Sequence, residues 1–173
     1  MKSLKHYDEA ASNFYGNSEI KGFPISSLDI YSEHFEKTCA NLSDVKQLYH
    51  LAKKENWHDN LHIRHQILDK NNVVVVTDTK LNIVFASQNM SRMNGYSAED
   101  VLGKTPRMFQ GEHTSEETKR KISQAIQQRK PFKEVLVNYR KDGSTYNCSI
   151  QGIPVFDTAG ELVNFIAFEQ EVA

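Results

Sequence analysis

Three histidines, His58, His62 and His65, stand at i, i+4 and i+7, which would put them on one face of a helix. Two histidines four apart can ligate zinc. No acidic residue or thiol completes a ligand set at recognisable spacing, so exposed polar histidines are expected, and His50 on the preceding segment does not alter that. The two thiols, Cys39 and Cys148, lie far apart and form no metal-type pair. Cys148 offers a redox handle, yet a buried cysteine more often behaves as a small hydrophobe. The run Glu116-Glu117-Thr118-Lys119-Arg120-Lys121 sets acid before base, as a helix dipole and i,i+4 pairing favour, and needs no partner to explain it. A Gly-rich phosphate loop, an H-E-x-x-H and a G-x-S-x-G are all missing, and a non-enzyme is expected.

The 173 residues suit one globular domain with an extension, with 39% hydrophobic and 25% charged residues. A formal net charge of -1 gives no basic excess that would favour nucleic acid or an anionic membrane. No stretch approaches the roughly 20 apolar residues of a membrane helix, and the N-terminus lacks the apolar core of a signal peptide. Two thiols without a secretory context read as reduced and cytoplasmic.

The chain changes character near residue 70. Before it, Ser26 and Ser27 offer an N-cap, and Leu28, Tyr31, Phe35, Thr38, Leu42, Val45, Tyr49 and Ala52 recur at helical spacing. Ser43 with Asp44 offers a second cap, and a further amphipathic segment runs through Trp57, Leu61, Ile63 and Leu68. The stripe fits packing on the protein's own sheet or a share in a coiled-coil dimer. After residue 70, Val73-Val74-Val75-Val76 and Ile83-Val84-Phe85 read as a hairpin around Asp78-Thr79-Lys80. Short helices end at Gly95 and Gly103. A longer helix opens at Thr114 or Ser115, turns Thr118, Ile122, Ala125, Ile126 and the Arg129 stem inward, and stops at Pro131. Phe132 to Arg140, Tyr146 to Val155 and Leu162 to Val172 form a meander with turns at Asp142-Gly143 and Asp157 to Gly160. The expected fold is α+β: a five-stranded antiparallel sheet with helices on one face, plus an N-terminal helical cap.

That order resembles the PAS family over residues 66–173, leaving 1–65 as the cap. The resemblance rests on V-V-T-D-x-x-x-x-I-V-F-A-S-x-N, N-G-Y-S-A-E-D-V-L-G-K, N-Y-R-K-D-G-S, P-V-F-D-x-x-G and F-I-A-F-E-Q. Within it, Gly103-Lys104-Thr105-Pro106-Arg107-Met108-Phe109-Gln110-Gly111 is similar to the segment G-x-N-C-R-F-L-Q-G of LOV photoreceptors, in which blue light joins a cysteine to a bound flavin. Pro106 stands in that cysteine's place, so adduct chemistry is impossible there. By the same resemblance Arg107, Gln110 and Asn138 are retained pocket positions. Thr105 replaces an asparagine, Ser123 a phosphate-holding arginine, Cys148 a ring-binding asparagine and Glu169 the signalling glutamine. An ionised Glu169 only accepts hydrogen bonds, whereas a flavin edge needs a donor as well, and its burial would cost several kcal/mol unless paired.

The resemblance implies a non-catalytic sensory, signal-transduction or protein-interaction module. Because the sequence given stops at the last strand, output is expected through the N-terminal helices, by homodimerisation or contact with a partner signalling protein. No cofactor is expected; non-covalent FMN, in a cysteine-less blue-light or redox sensor, is the alternative.

Overall fold

The computed structural model describes residues 42–58 and 72–173, all within one compact unit, Thr38–Ala173. Helix α1 covers residues 42–54. The valine run forms strand β1 (Val73–Asp78), buried almost throughout because both its faces are covered. The turn to β2 (Ile83–Ala86) is tied by the Asp78 carboxylate, which accepts from the N–H groups of Lys80 at 2.9 Å and Asn82 at 2.8 Å. Helix α2 (Met90–Asn94) ends on Gly95, whose φ of 78° is the left-handed conformation glycine adopts without strain. Helix α3 (Ala98–Val101) opens with a capping box between Ser97 and Asp100. A 3-10 turn, Pro106–Phe109, leads to helix α4 (Glu116–Gln127), capped by Ser115. Strands β3 (Phe132–Tyr139), β4 (Thr145–Phe156) and β5 (Leu162–Val172) complete the chain.

The sheet order is β2-β1-β5-β4-β3, every neighbouring pair antiparallel. The last strand is therefore the middle one and joins the two hairpins. Val73, Val75, Ile83, Met90, Val101 and Phe109 form the inner core beneath the short helices. On the opposite face Leu48 of α1 packs with Val74, Val76, Phe85, Val155, Ile166 and Phe168. The expected α+β sheet with helices on one face is thus present, with α1 against the other. Among the described residues no helix is long and apolar enough to cross a membrane.

Three local expectations fail. Helix α1 presents Asp44, Leu48 and Leu51 to the sheet, with Val45 of the predicted stripe packed beside them, while Leu42 and Tyr49 of that stripe are 59% and 58% exposed. The cause is a polar tether: the Asp44 carboxylate accepts the Gln88 N–H at 3.0 Å, which fixes the rotation of the helix. Asp44 is therefore not a cap, since residues 42 and 43 are already helical. Trp57 does not open an amphipathic helix. It bridges Asp157 in β fashion and donates its Nε1–H to Asn164 Oδ1 at 2.8 Å. His58 follows, its N–H on the Phe156 carbonyl; Leu61, Ile63 and Leu68 of that segment lie outside the described residues. His62, His65 and the stripe from Leu28 to Thr38 lie outside the described residues. Arg129, finally, leaves α4 at a φ of 52° and is exposed rather than packed by its stem.

Candidate functional site

Helix α4 has the apolar face its sequence predicts, yet none of its residues is fully buried. An amphipathic helix on a filled core buries that face. Here Ile122 and Ile126 look instead onto a cavity of about 800 Å3 between α4 and the inner surface of the sheet. Val75, Phe109, Leu136, Ile150 and Phe165 supply other apolar walls. A side chain at Gly152 would collide with the Phe132 ring, which also lines the cavity.

Polar groups occupy two regions of the lining. Lys80, Arg107, Lys119 and Arg120 border the cavity as a cationic margin, with Lys119 paired to Glu116. Deeper, Gln110, Asn138 and Glu169 reach it from the end of the 3-10 turn, from β3 and from β5. Thr105 and Pro106 also line it, so the position next to Arg107 offers a ring and no thiol. Of the sequence candidates, Arg107, Gln110, Asn138 and Glu169 share this one cavity, with Ser123 on its α4 side. Cys148 does not line it. It is fully buried behind Glu169, its Sγ 3.9 Å from Glu169 Oε2. Burial pushes the Cys148 thiol well above its ordinary pKa, and the nearby Glu169 charge adds to this. It is a protonated neighbour and not a nucleophile.

Glu169 is only 3% exposed. Burial lifts its carboxyl to about 7, opposed by the hydrogen bond from Cys148. Near neutral pH a large fraction is therefore the neutral acid, which carries an O–H donor and a carbonyl acceptor as an amide does. That removes the objection raised against an ionised glutamate at this position. Asn138 Oδ1 is buried without a hydrogen-bond partner, and so are Tyr146 OH and Asn94 Nδ2 close by. Tyr146 stands near Asn138, Asn94 and Cys148 without a well-aligned bond, and burial raises its phenol pKa. The Arg140 guanidinium lies 4.5 Å from the Tyr146 ring centroid and pairs with Glu171 at 2.6 Å, closing this end of the sheet.

Sequence reading passed over Tyr146 and Asn94. The two-residue alternation of β4 puts Tyr146 on the face of Cys148 and was a usable signal. Asn94, at the end of a five-residue helix, gave none. Among the described residues no group of three His, Cys, Asp or Glu side chains could hold a metal.

Comparison with known proteins agrees with this geometry. The chain is 31% identical over 100 residues to a nitrogen fixation regulatory protein of Klebsiella oxytoca, a match covering 58% of this chain and 20% of that protein. It is 36% identical over 92 residues to Protein TWIN LOV 1 of Arabidopsis thaliana, covering 53% and 23%. The dark structure of the LOV domain of the blue-light photoreceptor Aureochrome1 superposes with a TM-score of 0.60 at 29% identity, covering 67% of this chain and 86% of that one. This chain thus spans about a fifth of the regulatory protein it matches. The PAS domain profile matches residues 70–172, more than half of the sequence, and the chain belongs to the PAS domain family.

Proposed function

We propose that this PAS domain is a non-catalytic sensory module that takes a small planar ligand into the cavity under α4 and signals through β5 to helix α1. The observation that carries the reading is the half-buried apolar face of α4 over a hollow of about 800 Å3, a size suited to a small-molecule site. Strand alternation supplies the route outward. Glu169 faces the cavity, whereas Phe168 beside it packs with Leu48 of α1 on the far side. On Glu169's other flank, the Gln170 Nε2–H donates to Asn72 Oδ1 at 2.6 Å, at the start of β1. Output by homodimerisation, or by contact with a partner signalling protein, would draw on α1 and the segment before it.

A flavin is the ligand class that the lining fits, and the likeness to LOV photoreceptors supports it. Asn138 Oδ1 lacks a donor that a ring N–H would supply, and Gln110 and Glu169 stand at the same wall. Arg107, Lys119 and Arg120 would hold the phosphate of FMN. A bound flavin would supply blue-light absorption and reversible reduction. Pro106 leaves no thiol to capture it, and Cys148 lies behind Glu169. Mixing the purified chain with FMN is expected to give a structured blue absorption band that persists under blue light. Failure of FMN to bind would remove the flavin reading, and loss of the band into a covalent adduct would remove the non-covalent one.

A further inference from the structure

We propose that Glu169 acts as a neutral carboxylic acid that donates its O–H to an acceptor on the cavity ligand, so that ligand and proton are taken up together. This makes it the residue that sets whether the wall offers a donor or only acceptors, and the inference rests on the flavin-class reading above.

The surroundings favour the neutral form. Glu169 is buried, and no salt bridge among the described residues reaches it. The titratable groups around it can be named element by element. Cys148 and Tyr146 face it from β4, and both stay protonated. Glu134 on β3 and Glu171 on β5 are acidic, and Arg140 is engaged by Glu171. The cavity's cations, Lys80, Arg107, Lys119 and Arg120, belong to its margin. The influences on the carboxyl are burial, which disfavours the charge, and the weak sulfur contact of Cys148. Asn138 Oδ1, an acceptor without a donor on the same wall, supplies the complementary half. Neutral Glu169 on β5 matches a ligand carbonyl or ring nitrogen, and Asn138, two strands away on β3, matches an N–H elsewhere on the same ligand. Ionised Glu169 can only accept, and would oppose an acceptor on the ligand.

The test uses riboflavin, which lacks a phosphate titrating near neutral pH, bound to the whole chain and to Glu169→Gln between pH 6 and pH 8. Uptake of one proton at a group titrating near 7 predicts that wild-type affinity falls about tenfold across that range. Glu169→Gln, whose amide donates at either pH, should hold its affinity within about twofold. Equal pH dependence in the two proteins, or none in the wild type, would overturn the proposal while leaving flavin binding intact. The infrared carboxylic-acid absorption of wild type minus that of Glu169→Gln, a difference in which Asp44 cancels, should be present at pH 6 and weaken by pH 8; no difference at pH 6 defeats the neutral acid directly. A titrating band with no riboflavin binding at any pH would instead defeat the flavin reading, and joint uptake with it.

Discussion

At the scale of single residues, the decisive fact is that a carboxyl sits inside a sheet with a thiol for company. Glu169 titrates at about 7 in the fold against 4.5 for the free side chain, so between those values the native state holds a proton that the unfolded chain has released. The stability Glu169 lends is whole below about pH 4.5 and is lost as pH rises through 7. Glu169→Gln removes the charge and keeps the shape, so its advantage over wild type should grow to roughly 3 kcal/mol by pH 8. Urea denaturation of both proteins at pH 5 and pH 8 measures this; a difference independent of pH would contradict it. Asp44 behaves in a similar way, lifted by burial to about 6 with a single well-formed bond, from the Gln88 N–H.

At the scale of elements, α1 is held by Leu48, flanked by Val45 and Leu51, and by one polar tether. Leu48→Ala should cost about 2–4 kcal/mol, since it opens a void among Phe85, Val155 and Phe168. Asp44→Ala should cost about 0.5–1.5 kcal/mol by removing the acceptor of the Gln88 N–H, the polar tether of α1. Denaturant midpoints report both losses, and a null effect of Leu48→Ala would mean that α1 does not rest on the sheet as described. Helix α4 is the contrasting case. Its ends are secured by the Ser115 cap, by ion pairs Lys119–Glu116 and Lys121–Glu117 and by the turn before β3, while its middle spans a hollow. Ligand binding should therefore protect α4 amides from hydrogen exchange more than those of β1.

At the scale of the whole molecule, the sheet separates the cavity from the face that α1 covers. Removing residues 1–57 would uncover Val74, Val76, Val155, Ile166 and Phe168. We expect such a truncation to bind a hydrophobic dye and to self-associate in sedimentation. Unchanged dye binding and oligomeric state would argue against α1 as the covering and signalling element. The outer face near β3 is different in kind, with Val135 exposed at 51%. The apolar surface that truncation would add therefore lies toward β1 and β5, where α1 sits.

The sequence by itself determined the strands, turns and caps after residue 70. These depend on residues a few positions apart: the valine run of β1, Asp142-Gly143, Ser97 with Asp100, and glycine at position 95. By resemblance it offered Arg107, Gln110, Asn138, Cys148 and Glu169 as pocket positions; all but Cys148 line the one cavity, and Cys148 sits behind Glu169. Which face of α1 is buried was decided only in three dimensions, by the hydrogen bond that Asp44 accepts from the Gln88 N–H, 44 positions away. The same holds for the fate of Trp57 and His58, pinned to the β4–β5 turn. The protonation of Glu169 also belongs to the tertiary structure: an isolated glutamate ionises freely, and only a dry wall with no facing cation raises its pKa toward neutrality.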